Sequence, residues 1–300
     1  MMPPSALIIG ASGALGRPVV EEFKNQRSRF ERVAVLTDPT RVHKFDDIKK
    51  DGIEVVVGSF LDFKCYQGFD VVLSLVGNAL MRLQPGMIEA AVAGGVQHFY
   101  PSEFGTDITQ SAGVRQFRYF RDKVVTRDHL AATARAQAGF RYTLMLVGQF
   151  SEWAYGSFSG VDTEKHVVEA YGYPEAQTDV TAIADIARYT VDSIFLPFPE
   201  HQSCREIRVR GDHLTWTQLI ALLEEIQGVK YKVTFLDPKV AAEKQEEARL
   251  RGDEEEELKW AGRVLGPSGM VQVPEPLDNH KFGFVPKTAR EVMQTMFTQG

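Results

Sequence analysis

The sequence predicts an α/β fold, in which a doubly wound parallel sheet is followed by a smaller α+β domain. Three observations support this class. In the first half, short apolar runs rich in β-branched residues alternate with amphipathic stretches, which is typical of βαβ units with strands buried on both faces. A glycine-rich loop directly follows the first apolar run. The 300 residues are about right for one large α/β domain with a smaller one appended, and the second half loses the alternation.

The elements of the first half follow from the same pattern. The apolar runs predict strands at residues 6–9, 33–36, 54–57, 71–76, 98–100 and 142–147. The amphipathic stretches between them predict helices at residues 17–26, 86–93 and 122–135.

The second half predicts a mixture of helices and strands. Helices are expected at residues 182–195 and 215–227, the latter with Thr215 as N-cap and Gly228 as its end. Strands are expected at residues 206–210 and 230–236. Residues 238–262 are highly charged and predict one exposed helix with a break at Gly252. We interpret the acidic run at 253–257 as a solvated face.

Composition excludes several classes of protein. The 300 residues carry a net charge of -6, which argues against nucleic-acid binding. No run of about 18 apolar residues occurs, and the first residues lack the pattern of a secretory leader, so we expect a cytoplasmic chain without a membrane segment. Two cysteines and seven scattered histidines show no metal-ligand spacing, so no metal site is expected.

The loop GASGALG occupies residues 10–16, between the first strand and the first helix. Gly10 allows the tight turn, Gly13 lets the backbone approach a pyrophosphate, and Gly16 lets the helix pack against the sheet. Ser12 and Leu15 belong to the same predicted cofactor site. We therefore place an NAD(P)-binding Rossmann domain at residues 1–150, with returning segments near 180–212. The substrate-binding domain takes most of residues 151–300, and an ordinary βα turn is the alternative for the loop.

The end of the second strand gives conflicting signals about the cofactor. Asp38 lies 22 positions after Gly16, where a carboxylate accepts from the ribose of NAD(H). Arg17, Arg41 and Lys44 can instead hold the 2′-phosphate of NADP(H). Both cofactors stay open from the residues alone.

Four stretches carry a family pattern. They are the GxxGxxG loop at 10–16, SLVG at 74–77 with Gln84 and the helix after it, GGVQHFYPSEFG at 94–105, and FRDK at 120–123 with Arg127. This pattern resembles the NmrA-like, isoflavone-reductase-like branch of the atypical short-chain dehydrogenases/reductases. That branch includes plant phenylcoumaran benzylic ether, pinoresinol–lariciresinol and isoflavone reductases, and fungal relatives. The resemblance covers residues 1–150, and residues 151–300 match only in layout.

The resemblance implies roles for individual residues. Lys123 aligns with the general acid/base, and Arg127 with an arginine near the cofactor. Gln84 and Phe104 would line the cofactor groove, and Gln149 with Phe150 would lie beside the nicotinamide. Thr37 stands where the plant enzymes carry the arginine that holds the 2′-phosphate. The rest of the expected cofactor site comprises Val76, Gly77 and Ser102, and the resemblance favours NADP(H).

Tyr119 and Lys123 also match the YxxxK pattern of other short-chain dehydrogenases, in which the tyrosine is the acid and a serine orients the carbonyl. Ser102 is the candidate serine. The alternatives are a surface tyrosine, an exposed lysine, and a serine that caps a turn or contacts ribose. We expect the mechanism of the isoflavone-reductase-like branch, with Tyr119 less important.

The segment FSEWAYGSF at 150–158 is dense in aromatic and small residues. We interpret it as the wall of a pocket for a flat aromatic substrate, with interdomain packing as the alternative. The sequence thus predicts an NAD(P)H-dependent reductase of a phenolic or polyketide-like molecule of secondary metabolism, acting as a monomer or homodimer. The alternative function is a non-catalytic NmrA-type regulator that binds dinucleotides as a redox sensor and contacts a protein partner.

Overall fold

The structure is a computed structural model that describes residues 2–109, 115 and 118–297. Its contacts divide the chain into two compact units. The first unit comprises Met1–Glu103, Asp122–Met145 and Ile186–Ile207. The second unit comprises Phe104–Arg121, Leu146–Asp185 and Arg208–Gly300. This division differs from the predicted boundary at residue 150 because it groups Phe104–Arg121 with the second unit. The segment Ile186–Ile207 of the first unit lies within the returning segments expected near residues 180–212.

The predicted strands and helices appear in the predicted order, and the structure adds short strands between residues 149 and 215 and helices at residues 78–81, 151–154 and 289–297 that were not predicted from the sequence. The strands are β1 (Ser5–Ile9), β2 (Arg32–Thr37), β3 (Glu54–Val57), β4 (Val71–Ser74), β5 (His98–Tyr100), β6 (Arg141–Leu146), β7 (Gln149–Phe150), β8 (Val161–Asp162), β9 (Val167–Tyr171), β10 (Gln177–Thr181), β11 (Cys204–Arg208), β12 (Asp212–Thr215) and β13 (Lys232–Leu236). The helices are α1 (Gly16–Asn25), α2 (Asn78–Met81), α3 (Gln84–Ala93), α4 (Arg118–Ala136), α5 (Ser151–Ala154), α6 (Ile183–Ser193), α7 (Trp216–Gln227), α8 (Pro238–Arg251), α9 (Glu254–Leu265) and α10 (Ala289–Phe297).

A seven-stranded sheet in the order β11-β6-β5-β4-β1-β2-β3 forms the centre of the first unit. The pairs among β1 to β6 are parallel, and every residue of β1 and β4 is buried. Such strands need helices on both faces, and α1 supplies one by burying Val19, Val20 and Phe23. The predicted doubly wound Rossmann sheet is confirmed.

Strand β1 lies between β2 and β4, so the chain winds away from β1 in both directions. The carboxyl ends of β1, β2, β4 and β5 meet at one edge, which we call the carboxyl edge. The opposite edge, where these strands begin, is the amino edge. Doubly wound sheets bind ligands at the carboxyl ends of strands near such a switch point, which directs attention to the loops of the carboxyl edge.

The second unit contains two three-stranded sheets, β12-β10-β7 and β13-β9-β8. Its core includes Trp216 and Leu219 of α7 packed with Val168 of β9. Helix α7 begins at a capping box, in which Thr215 and Gln218 each bond the other's backbone, and ends at Gly228 with φ +68°. Both predicted ends of this helix are confirmed.

The charged stretch forms two helices, α8 and α9, with the predicted break at Gly252, where φ is +71°. The interpretation of its acidic run as a solvated face is wrong for Glu257, which is only 4% exposed. Glu257 shares the buried face of α9 with Ala261 and Val264, and its charge pairs with Arg121.

Within residues 2–109, 115 and 118–297, no helix is both long and apolar enough to cross a membrane. Over those same ranges, no three His, Cys, Asp or Glu side chains group as a metal ion would require.

Candidate active site

The glycine loop leaves the carboxyl end of β1 with a geometry that two of its glycines require. Gly10 has φ +83°, and a Cβ there would lie 2.5 Å from the Leu75 carbonyl oxygen. A Cβ on Gly16 would lie 2.1 Å from the Gly10 carbonyl oxygen. The backbone contact that Gly16 permits is therefore within the loop itself, whereas the sequence predicted a helix–sheet contact. Larger residues at either position would force the loop open.

Gly13 differs from the other two because it is exposed, and its nearest obstacle to a Cβ is the Gly10 carbonyl oxygen at 3.2 Å. Ser12 is half-buried, Leu15 is buried, and Arg17 is exposed at the start of α1. An exposed glycine before a helix N-terminus offers backbone N–H groups and the positive end of the helix dipole. This arrangement fits the phosphates of a dinucleotide.

Asp38 follows the buried Thr37 at the end of β2, and its side chain caps the short 3₁₀ helix Pro39–Phe45. Oδ1 accepts from the Thr40 backbone N–H at 2.9 Å and from the Thr40 hydroxyl. Oδ2 lies 3.9 Å from Nε of Arg41. The Thr40 hydrogen bond holds the pKa of Asp38 below its ordinary value. The carboxylate is thus already engaged, while Arg41 and Lys44 are exposed.

Ser102, Gln84 and Val76 join the loops that follow β4 and β5. The Ser102 hydroxyl donates to the Val76 carbonyl at 2.7 Å, and the Ser102 backbone N–H donates to Gln84 Oε1 at 2.8 Å. Gln84 is fully buried, and among the described residues its Nε2 has no hydrogen-bond partner. Gly77 is exposed, with open space where a Cβ would stand. The site therefore holds an unused buried donor beside an open glycine.

Lys123 projects from α4 into the first unit and is only 8% exposed. Its Nζ donates to the Glu103 backbone carbonyl. One helical turn later, Arg127 pairs with the Glu103 carboxylate at 2.7 Å, and that carboxylate is 1% exposed. Burial lowers the pKa of Lys123 from its ordinary value; the Glu103 charge raises it and the Arg127 charge lowers it. The group is thus a buried amine that can exchange a proton more readily than a surface lysine.

Glu103 is the residue of this group to which sequence reasoning gave no role. Its signal was present, because Lys123 and Arg127 are spaced i, i+4 and must face the same neighbour. Ser102 uses its hydroxyl proton on Val76, which leaves the hydroxyl oxygen as an acceptor. The Tyr119 side chain lies outside the described residues.

Phe104, Gln149 and Phe150 belong to the second unit and are buried there. Gln149 Nε2 donates to the Ser159 hydroxyl at 2.8 Å. The Phe150 ring lies 4.7 Å from that of Trp153, which in turn lies 6.0 Å from Phe158. Trp153 is 43% exposed, so this aromatic cluster presents an open apolar face.

The sequence model of the NmrA-like family matches residues 4–261. This chain belongs to the NmrA-like family. It is 24% identical to the oxidoreductase aprR of Aspergillus flavus, covering 84% of each chain. It is 28% identical to the phenylcoumaran benzylic ether reductase Pyrc5 of Pyrus communis, covering 74% of each. A solved structure of AtPrR2 with NADP+ and (+)-pinoresinol superposes with a TM-score of 0.77 at 21% identity, covering 98% of this chain and 99% of that one.

These matches confirm the predicted family and fold, and the predicted oxidoreductase class agrees with the relatives' names. The matches assign no residue of this NmrA-like chain to a role. The individual site residues therefore stay predictions, now with the geometry described above.

Proposed function

We propose that this NmrA-like protein is an NADPH-dependent reductase of a small aromatic molecule, phenolic or polyketide-like. The observation that carries the proposal is the buried Lys123 at the carboxyl edge, with its lowered pKa and its contact to Glu103. Burying an amine costs free energy, and such a group at the ligand-binding edge of a doubly wound sheet is typical of a proton-transfer site.

The residues of the carboxyl edge fit a dinucleotide. The exposed Gly13 and the N-terminus of α1 suit its phosphates, and the Gln84 Nε2 donor awaits an acceptor. When bound, NADPH supplies a hydride. The engaged Asp38 and the exposed Arg41 and Lys44 favour a 2′-phosphate over a bare ribose. The NADP+ in the AtPrR2 structure supports the same choice.

Lys123 would hold or move the proton that accompanies reduction. Its Nζ is held at the carboxyl edge by a hydrogen bond to the Glu103 backbone carbonyl. Arg127 pairs with the Glu103 carboxylate, and its charge adds to the lowering of the Lys123 pKa by burial. The Ser102 hydroxyl donates to the Val76 carbonyl, which supports a role in positioning the β4 and β5 loops rather than in proton transfer.

An aromatic substrate is supported by the cluster of Phe150, Trp153 and Phe158 in the second unit. Exposed aromatic faces stack with flat ligands. The pinoresinol in the AtPrR2 structure is a molecule of that kind.

The test is NADPH consumption, followed by absorbance, against a panel of aromatic ketones, enones and benzylic ethers. We expect turnover with at least one class, and its loss in Lys123→Met with Lys239→Met as an exposed-lysine control. If the protein binds NADPH but consumes none across the panel, the reductase proposal is wrong and the dinucleotide-sensing regulator takes its place.

A further inference from the structure

A cleft of about 700 Å³ opens at the amino edge of the first unit, opposite the candidate active site. Pro4 precedes β1, and Val71, His98 and Arg141 begin β4, β5 and β6. The segment 194–198 after α6 closes the other side. This volume is within the range of pockets that hold small molecules.

The wall formed by residues 194–198 is mainly apolar. Phe195 is 37% exposed, and the Arg29 guanidinium lies 3.8 Å from its ring centroid. Phe198 packs edge-on against His98, with ring centroids 5.0 Å apart. Both rings are thus held in place by neighbours, so a planar ligand would meet fixed aromatic surfaces rather than mobile ones.

The charged side chains that line the cleft are Arg29, Arg141 and Asp70. Arg141 is exposed, lies 5.3 Å from the Phe198 ring centroid, and has no ion pair among the described residues. Arg29, by contrast, pairs with Asp192 at 3.0 Å. The lining carboxylate, Asp70, accepts from the Ser5 backbone N–H at 2.7 Å.

His98 adds no positive charge to the cleft. Burial, Arg205 and Arg141 together hold its pKa well below its ordinary value, so the imidazole is neutral near pH 7. Its Nε2 bonds the Thr143 hydroxyl at 2.9 Å. Arg141 is therefore the cation of this cleft with which an incoming anion can pair.

We propose that the cleft at the amino edge is a second small-molecule site, and that it takes a flat aromatic carboxylate. The apolar wall would bury the ring, and the Arg141 guanidinium would pair with the carboxylate through two hydrogen bonds. This site lies on the opposite edge from Lys123 and does not depend on the reductase proposal.

The test is calorimetric titration with 2-naphthoate and with its uncharged analogue 2-naphthalenemethanol. We expect naphthoate to bind more tightly than the alcohol, and Arg141→Met to weaken naphthoate by about 10-fold or more while leaving the alcohol unchanged. Arg135→Met removes an exposed arginine outside the cleft and should change neither. Phe195→Ala should weaken both ligands, because it removes the shared apolar surface.

Several outcomes would overturn the site. One is an unchanged naphthoate affinity in Arg141→Met. Another is loss of naphthoate binding when NADPH is added, which would place the ligand at the carboxyl edge. A third is concentration-dependent dimerisation that Arg141→Met abolishes, since the cleft would then belong to a second copy of the chain. Failure to bind NADPH would count against the reductase proposal alone.

Discussion

Two buried cations of the first unit, Lys123 and Arg205, show how similar burial leads to different chemistry. Arg205 is 4% exposed, and its guanidinium donates to the Tyr100 hydroxyl, the Thr143 hydroxyl and the Ser193 carbonyl at 2.8–3.0 Å. Lys123 is 8% exposed, and its amine donates to the Glu103 carbonyl. Arg205 thus connects β5, β6 and the end of α6, whereas Lys123 lies at the ligand-binding edge.

The difference follows from the two side chains. A guanidinium stays protonated at any ordinary pH, so a buried arginine can only be satisfied by oxygens and serves to hold structure. A buried lysine can lower its pKa and give up a proton. We therefore expect Arg205 to contribute to stability and Lys123 to proton transfer, and a separate variant tests each role.

The largest effect is expected from Lys123→Ala. If Lys123 transfers the proton, turnover should fall by roughly 10²–10⁴-fold, the usual loss for a positioned acid/base. NADPH affinity should change much less, because the phosphates are held at the glycine loop. The measurement is kcat on an identified substrate beside direct NADPH titration. Full turnover in Lys123→Ala would show that Lys123 does not transfer the proton. A loss of equal size in Tyr119→Phe would indicate that Tyr119 is the acid.

Arg205→Met should act on stability rather than chemistry. Removing the guanidinium leaves the Tyr100 and Thr143 hydroxyls and two carbonyls without their donor, and we expect a loss of about 3 kcal/mol in the free energy of unfolding. Urea denaturation measures it. Arg135→Met, on an exposed helix end, should stay within about 0.5 kcal/mol of the parent. A stable Arg205→Met protein that has lost turnover would show that Arg205 acts in the reaction and not in stability.

The pH profile sharpens the role of Lys123. The Glu103 charge raises the pKa of Lys123, so Glu103→Gln should lower that pKa further. If the protonated amine is the active form, the alkaline limb of the kcat profile should move to lower pH. The measurement is kcat against pH for both proteins, with circular dichroism to verify folding. An alkaline limb that moves to higher pH, or not at all, would show that another group titrates.

Much of the fold could be predicted because the local pattern of apolar residues indicates which segments are buried. The uniformly apolar runs at β1 and β4 identify strands buried on both faces, and Thr215 with Gly228 marks both ends of α7. Such signals need only neighbours within a few residues. The burial of Glu257 could not be predicted in the same way, because its partner Arg121 is distant in sequence.

The candidate site was predictable in position but not in its hydrogen bonds. The glycine loop and Lys123 carry recognisable motifs. Two hydrogen bonds depend on how the loops after β4 and β5 meet. The Ser102 hydroxyl donates to the Val76 carbonyl, and Lys123 Nζ donates to the Glu103 carbonyl. The engagement of Asp38 depends on the backbone N–H and the hydroxyl of Thr40, two residues away, which the strand pattern does not reveal.

The smallest expected effect concerns Asp38, whose side chain is 35% exposed, since a charge that water reaches contributes little. Thr40→Ala removes the hydroxyl donor and leaves only the Thr40 backbone N–H on Oδ1, so the carboxylate can accept more readily from a ribose hydroxyl and preference should move toward NAD. Asp38→Asn removes the charge that opposes a 2′-phosphate, so preference should move toward NADP. We expect shifts of about two- to fivefold in opposite directions, measured as the ratio of the two cofactors' dissociation constants.

Asp62→Asn is the matched control for this pair of variants. Asp62 caps another short 3₁₀ helix by accepting from the Lys64 backbone N–H at 3.0 Å, so the substitution weakens the same kind of cap away from the end of β2. It should leave the cofactor ratio unchanged. Shifts of Thr40→Ala and Asp38→Asn in the same direction would mean that both act by loosening the 3₁₀ helix, and that the Asp38 charge does not select the cofactor.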